Sequence, residues 1–551
     1  MYIILPLILL LWYALASSYY AGKKSKKALA GLRMAWGKPK SKFEAFNFDR
    51  ISAYALHTEA AAFHRLSQQT LLDIDFEDVF AFIDRTTTRI GQQYFFNRLI
   101  HPLHDPAKLE SRDENIQFFI ENHKVREEIQ LELLDLAGND SYHLATLFRP
   151  ILLLRPTWLK YMRINILVSI ACLLLSIEFP VMLVALMFSL AINILVHYWN
   201  KRNIYQYILS FAQLNTAIDV CRRILQKGSR FEDAIVREGI KGLKEFQLKL
   251  NLLDRTNEGG LRGDISLVFT YFIELLKAAC LIEVFTLFEL TKKLEFQKQS
   301  IKHVFDYLGE LDTTISIASL RSGSHATCKP TFLAKGSNFE ALNIYHPLIE
   351  NCSKNDLASG GKGLLVTGSN MSGKTTFLRT LVINSILAQT IDTCFADEFK
   401  TPIVRQFSSI RIDDNLLDGK SYYYEEVSLM GKLIEAAASG DQGLFVLDEV
   451  FKGTNTNERI AASKAILSYL KRNNNIVVVS THDIELANML LEEYDLYHFT
   501  EVIEGDQLKF DHKLKAGILK TTNAIKILEL SGYPVEIIEE AKAIAAGTAK
   551  A

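Results

Sequence analysis

The 551 residues carry 62 lysines and arginines against 63 aspartates and glutamates, a formal net charge of −1. A chain of this length predicts two or three domains, and so even a charge balance lacks the basic excess with which duplex-binding proteins neutralise phosphate. Six scattered cysteines with no C-x-x-C pair suggest neither a zinc site nor a disulfide framework, and they fit reduced thiols in a cytosolic body.

From Tyr2 to Tyr20 the chain is an uncharged apolar run of the length a spanning helix needs. Lys23, Lys24, Lys26, Lys27, Arg33, Lys38, Lys40 and Lys42 follow, with no acidic residue before Glu44. Ala14-Leu15-Ala16 resembles a signal-peptide cleavage site, but the positive n-region is absent and the charges lie on the wrong side of the run. Residues 1–20 are therefore expected to be an uncleaved transmembrane anchor with its start outside and its lysines in the cytosol. Residues 21–66 form a basic juxtamembrane segment. Residues 67–162 look mostly helical.

A second apolar region, 163–199, has Glu178 as its only formal charge between Ile164 and His197 and is flanked by Lys160, Arg163, Lys201 and Arg202. It predicts a transmembrane helical hairpin turning at Glu178-Phe179-Pro180, with both basic ends on the cytosolic side. Each arm is short for a full span, which leaves a re-entrant or interfacial hairpin open. A buried core hairpin would keep a polar stripe, and these arms have almost none. The expected location is anchorage in the membrane (the cytoplasmic membrane, if the source is bacterial), with the globular parts facing the cytosol.

From Ile204 apolar residues recur at helical spacing through Phe211, Leu214, Ile218, Cys221 and Leu225, which predicts a long helix with one buried face. Residues 265–290 are apolar but interrupted by Glu274, Lys277, Glu283 and Glu289, and they predict one packed amphipathic helix. Residues 200–330 thus continue the helical body. Past Lys329-Pro330, short β-branched runs at 363–367, 444–447 and 476–480 alternate with helical stretches, the pattern of a mainly parallel sheet. The last domain is 331–551.

Gly368-Ser369-Asn370-Met371-Ser372-Gly373-Lys374-Thr375 is a complete G-x-x-x-x-G-K-[ST] loop between an expected strand and a helix that opens with Thr376. Backbone amides of such a loop cradle phosphates. Lys374 would reach the β- and γ-phosphates and the Thr375 hydroxyl would ligate Mg²⁺. Downstream, an apolar strand ends in Asp448-Glu449, which places one carboxylate on the Mg²⁺ shell (Asp448) and the next beside an attacking water as general base (Glu449). A third strand delivers Thr481-His482, where His482 can contact the γ-phosphate.

These pieces together resemble the MutS mismatch-repair family. The Asn370-Met371 pair, Arg411 to Leu416 with Gly419-Lys420-Ser421, Lys452 to Thr456 after Asp448-Glu449, and Glu485-Leu486 after His482 all fall in family order. So do Tyr345 to Leu348 and Gly532-Tyr533-Pro534. Phe82 to Thr88, through Gly91 to Leu103, resembles the entry to the family's core and lever helices. The resemblance implies an ABC-type P-loop ATPase domain behind an α-helical core/lever domain, with ATP and Mg²⁺ as cofactors. It also implies a homodimer in which Ser421 completes the nucleotide site of the second subunit. The family's Phe-x-Glu wedge has no counterpart, since Phe272-Ile273-Glu274 falls inside a lever-region helix. Cys352 stands near Asn355, where relatives place an aromatic against adenine. Two functions stay open: a membrane-tethered ATPase acting on DNA or a DNA-bound partner without mismatch preference, or a membrane-associated one coupling nucleotide state to the hairpin or a protein partner with no DNA role. An ABC transporter is the weaker third reading, because three apolar segments cannot build a translocation path.

Overall fold

The computed structural model describes residues 19, 22–41, 46–57, 63–149, 156–254, 275–369, 372–411, 422–451, 455–504, 507–518, 525, 528, 529 and 532–548. The expected anchor over 1–20 lies outside these, Tyr19 excepted. The elements that matter here are helices α1 (Gln68–Asp73), α2 (Phe76–Ile83), α3 (Leu159–Leu175), α4 (Met182–Leu225), α5 (Ile282–Arg321), α6 (Lys374–Ile391), α7 (Tyr422–Ala437) and α8 (Thr456–Leu470). The strands are β1 (Thr331–Leu333), β2 (Glu340–Ile344), β3 (Asn355–Ala358), β4 (Gly363–Thr367), β5 (Glu398–Pro402), β6 (Arg405–Ser409), β7 (Gly443–Asp448), β8 (Ile476–Thr481), β9 (Tyr494–His498), β10 (Glu501–Glu504), β11 (Gln507–Phe510) and β12 (Lys515–Ala516). The chain divides into two compact units: 1–60 with 84–97 and 118–319, and 61–83 with 98–117 and 320–551. A helical N-terminal region is thus followed by a mixed α/β region with sheets.

In the first unit the hairpin turns where the sequence places it. The Phe179 amide donates to the Leu175 carbonyl at 2.9 Å and the Met182 amide to the Phe179 carbonyl at 2.9 Å, so the turn closes on either side of Pro180. α4 then runs 44 residues without a break, so the helix expected from Ile204 begins some twenty positions earlier. Its lower part buries Phe211, Leu214, Ala217, Ile218 and Cys221 completely, the stripe that the spacing predicts.

The upper part is inverted. Ser189, Asn193, His197 and Asn200 are buried, while Leu183, Met187, Phe188, Leu195 and Trp199 are exposed. Asn165 on α3 donates to Asn193 Oδ1 (2.8 Å) and to the Ser189 carbonyl (3.1 Å), and Ser169 pairs with Ser189 at 2.6 Å. The arms therefore do carry a polar stripe, contrary to the sequence reading, and it faces inward. Small polar residues at i, i+4 spacing fall on one helix face, and residue-by-residue hydropathy averages them away. Among the described residues one helical stretch, Met182–Asn200 with mean hydropathy 1.8, is long and apolar enough to cross a membrane. At the hairpin base Leu159, Leu281, Val284 and Phe288 form a small core against Trp158, Met162 and Val196. The single helix expected over 265–290 is broken in its described part: Leu281 has a positive φ of 50°, which ends one helix before α5 begins.

The helix over 22–35 leaves Lys23, Lys24, Lys26 and Lys27 exposed, but the residues after them dock. Arg33 forks onto Glu127 with two bonds of 2.8 Å, and the Arg126 guanidinium stacks 3.5 Å above the Trp36 ring. Lys40 reaches the fully buried Asp84 at 2.8 Å. Against the upward push of burial, Lys40 and Thr86 hold the Asp84 carboxyl below its ordinary range.

In the second unit a six-stranded sheet has the order β12-β9-β4-β8-β7-β6, parallel except for the edge strand β12. Every residue of β4 and β8 is buried, as parallel strands covered on both faces require. Leu365, Phe445, Leu447, Val477 and Val479 form a core with Met430 and Leu433 of α7 and Leu467 and Leu470 of α8. The register aligns Thr367 with Thr481 and Asp448 with Ser480. Three strands therefore end side by side, at the carboxyl edge where open α/β sheets place ligands. A second sheet, β1-β5-β2-β3, lies in the same unit.

Candidate functional site

Beyond β4 the chain turns sharply. Gly368 has φ 149°, and a Cβ there would fall 2.8 Å from the Phe499 carbonyl oxygen. Gly373 takes φ 110° and starts α6. Both positions need the freedom only glycine has. Between them Ser372 donates to the Ser369 carbonyl at 2.8 Å. Asn370 and Met371 lie outside the described residues, as does Ser421.

Lys374, the first residue of α6, is buried, and its ammonium donates to the carbonyls of Gly368 (2.8 Å) and Ser369 (2.9 Å), with His482 Nε2 at 3.3 Å. Next to it the Thr375 hydroxyl donates to Asp448 Oδ2 at 2.7 Å, while Ser480 donates to the other carboxylate oxygen. Glu449 follows in a left-handed conformation, φ 59°, and its Oε1 lies 2.9 Å from His482 Nε2. A non-glycine residue held there costs about 1–3 kcal/mol, a cost that surrounding structure sustains mainly at working sites. His482 is steadied from behind: Arg459 of α8 grips the neighbouring Asp483 at 2.8 Å, and the Asp483 amide donates to Thr481 Oγ1 at 3.0 Å. Lys374, Thr375, Asp448, Glu449 and His482 thus converge from three strand ends.

This donor set fits the groups that the loop motif implies. A hydroxyl and a carboxylate oxygen in contact are the hard ligands Mg²⁺ takes when substrate phosphates and water fill its remaining positions. Amides at the start of α6, with Lys374, suit phosphate oxygens. Beside them opens a cavity of about 430 Å³ whose walls include Tyr345, Ile349, Cys352, Lys374, Thr376 and His512. Cys352 does stand on this wall, and Tyr345 and His512 supply aromatic rings to it.

Several contacts here were not visible in the sequence. His512 Nδ1 lies 3.0 Å from the Ser372 carbonyl, and Ser369 donates to Glu501 at 2.7 Å, so the β10–β11 hairpin and the residues flanking it clasp the loop at both ends. Neither residue belongs to a motif, and the fold alone brings them to the loop.

Residues 364–548 match the family of MutS domain V and residues 67–318 that of MutS domain III. The chain belongs to the MutS-like family. Similar proteins include the DNA mismatch repair protein MutS of Petrotoga mobilis, 33% identical over 258 residues, a stretch covering 44% of this chain and 31% of that protein. That of Natronomonas pharaonis is 28% identical over 250 residues, covering 44% and 29%. That of Thermus thermophilus is 27% identical over 259 residues, covering 46% and 31%. The match therefore spans about three-tenths of the length of these relatives.

Proposed function

We propose that this protein binds and hydrolyses ATP with Mg²⁺ at the carboxyl edge of the six-stranded sheet, in a domain of the ABC-type P-loop fold. The observation that carries the reading is the 2.7 Å contact between Thr375 and Asp448, with Lys374, Glu449 and His482 around it. Lys374 exchanges its two loop carbonyls for β- and γ-phosphate oxygens, and Thr375 and Asp448 hold Mg²⁺. Bound there, Mg²⁺ would neutralise charge that develops on the phosphates. Glu449 orients a water in line with the γ-phosphorus and takes its proton as the new P–O bond forms and ADP leaves. His482 moves between Glu449 and the γ-phosphate. By family resemblance Ser421 acts on the site of a second copy, which makes the working form a homodimer. Mg²⁺-dependent binding of a fluorescent ATP analogue to the full-length protein tests the site. Lys374→Ala is expected to weaken it at least a hundredfold, and unchanged affinity would contradict the assignment.

The inverted hairpin supports a place in the membrane, with apolar side chains facing lipid, polar ones inside, and Trp158, Trp199, Tyr161 and Tyr198 at its base. These are the residues that favour the bilayer interface. The nucleotide cycle then acts either on DNA, as the names of the relatives suggest, or on a protein partner at the membrane. The charge balance and the docking of Arg33 and Lys40 onto the protein itself favour the second, with no mismatch preference. Titration with matched and mismatched duplex at physiological salt separates the two. A tenfold preference for the mismatch would return the protein to repair.

A further inference from the structure

Strand β7 runs into a short turn with an uncommon backbone. Glu449 and Phe451 both take left-handed conformations, φ 59° and φ 61°, on either side of Val450. For a bulky residue such a φ is an outlier, because Cβ crowds its own backbone. It persists only where the surroundings leave the residue no alternative.

Three contacts surround this turn. The Glu449 amide donates to the Ser480 carbonyl at 3.1 Å, just past the paired residues of β7 and β8. Ser463 on α8 donates to the Val450 carbonyl at 3.2 Å. The Phe451 ring is buried in the core that Val450, Met430 and Leu433 of α7 and Ile460 of α8 also build. Tyr423, at the start of α7, lies beside it with ring centroids 5.8 Å apart. The first two contacts involve main-chain groups of the turn, which any residue there could supply, and neither fixes the backbone at 451. Its ring does: a negative φ at that position would carry the ring out of the core. Burial of the ring therefore holds the turn, and with it the direction of Glu449, whose Oε1 lies 2.9 Å from His482 Nε2.

We propose that Phe451 is a positioning residue for hydrolysis, its buried ring wedging the turn after β7 in the left-handed form that aims the Glu449 carboxylate at His482 and at the attacking water. This rests on the reading of Glu449 as the general base. The described walls of the nucleotide cavity do not include Phe451, so its replacement has no direct route to nucleotide affinity.

The test is steady-state ATP turnover by the full-length protein in nanodiscs, with Mg²⁺-ATP affinity measured on the same samples. Glycine accepts the left-handed backbone freely but supplies no ring, so Phe451→Gly separates the two. It is expected to lower kcat at least tenfold, a share of the roughly 10²–10⁴-fold that a placed general base supplies, with affinity changed less than threefold. Phe451→Leu refills the core and should recover most of the turnover. The decisive arm is the double variant Glu449→Gln/Phe451→Gly. It should turn over no slower than Glu449→Gln alone, because a residue that acts through the base has no effect once the base is gone. If Phe451→Gly fails to fold, Tyr423→Ala takes its place in both arms, with the same pattern at about threefold in kcat. Wild-type kcat in the variant tested would overturn the proposal. So would a loss of affinity as large as the loss of kcat, or a further multiplicative loss in the double variant. Wild-type turnover in Glu449→Gln alone would instead overturn the reading of the base.

Discussion

Asp392 ends α6 in a left-handed conformation, φ 52°, with its carboxylate buried. Neither carboxylate oxygen has a hydrogen-bond partner among the described residues, and Arg321 Nη2 stands 3.7 Å away. Burial, only partly countered by Arg321, pushes the carboxyl up to about 7. A folded-state value above that of the unfolded chain contributes stability that is complete below about pH 4 and lost as the pH rises through 7. Asp392→Asn keeps the shape and suits the left-handed backbone. It is expected to raise Tm at pH 8 by about 2–4 °C per kcal/mol of charge penalty removed, with a clearly smaller gain at pH 5. An equal gain at both values would mean the carboxylate is not the source. At this scale Lys374, Thr375, Asp448 and His482 were legible because their chemistry fixes residue type and local spacing together. Glu501 and His512 were not, because each has an ordinary neighbourhood in sequence and reaches the loop only through tertiary contacts.

The hairpin and the long helices show what periodicity can and cannot give. The turn at Glu178-Phe179-Pro180 and the buried stripe from Phe211 to Leu225 follow from composition and spacing. The unbroken junction between the apolar arm and that stripe does not, since nothing at 200–204 ends or starts a helix. Nor was the inward stripe of Asn165, Ser169, Ser189 and Asn193 visible before the arms were paired. Full burial of a large apolar side chain is worth about 1.5–3 kcal/mol, so a hairpin exposing Leu167, Leu174, Met187, Phe188 and Leu195 is costly in water, a cost that the proposed placement in lipid would remove. Two single-cysteine variants in intact cells test this placement. Glu178→Cys should react with an impermeant maleimide applied outside, and Ser300→Cys should not. Labelling of position 300 from outside would reverse the topology, and no labelling at 178 would favour a hairpin that enters without crossing. Deletion of residues 1–20 should leave the protein in the membrane fraction.

At the scale of the whole molecule, the order of helical region and sheet region could be read from the sequence, but the assembly of the second unit could not. Residues 61–83 and 98–117 fold with 320–551, held by contacts such as Arg98 to the Thr390 carbonyl at 2.7 Å and Arg321 to Asp113 at 2.5 Å. Such long-range ion pairs and caps leave no mark on local periodicity. In this unit α1 packs on β6 and α2 lies against α6, and the proposed hydrolysis of ATP is what would drive any movement of these elements. The most direct measurement of that claim is ATP turnover by the full-length protein in nanodiscs, with nucleotide affinity measured on the same samples. Glu449→Gln is predicted to bind Mg²⁺-ATP within about threefold of wild type while turnover falls at least about a hundredfold, the usual range for loss of a general base. Turnover at the wild-type rate in Glu449→Gln would contradict the account.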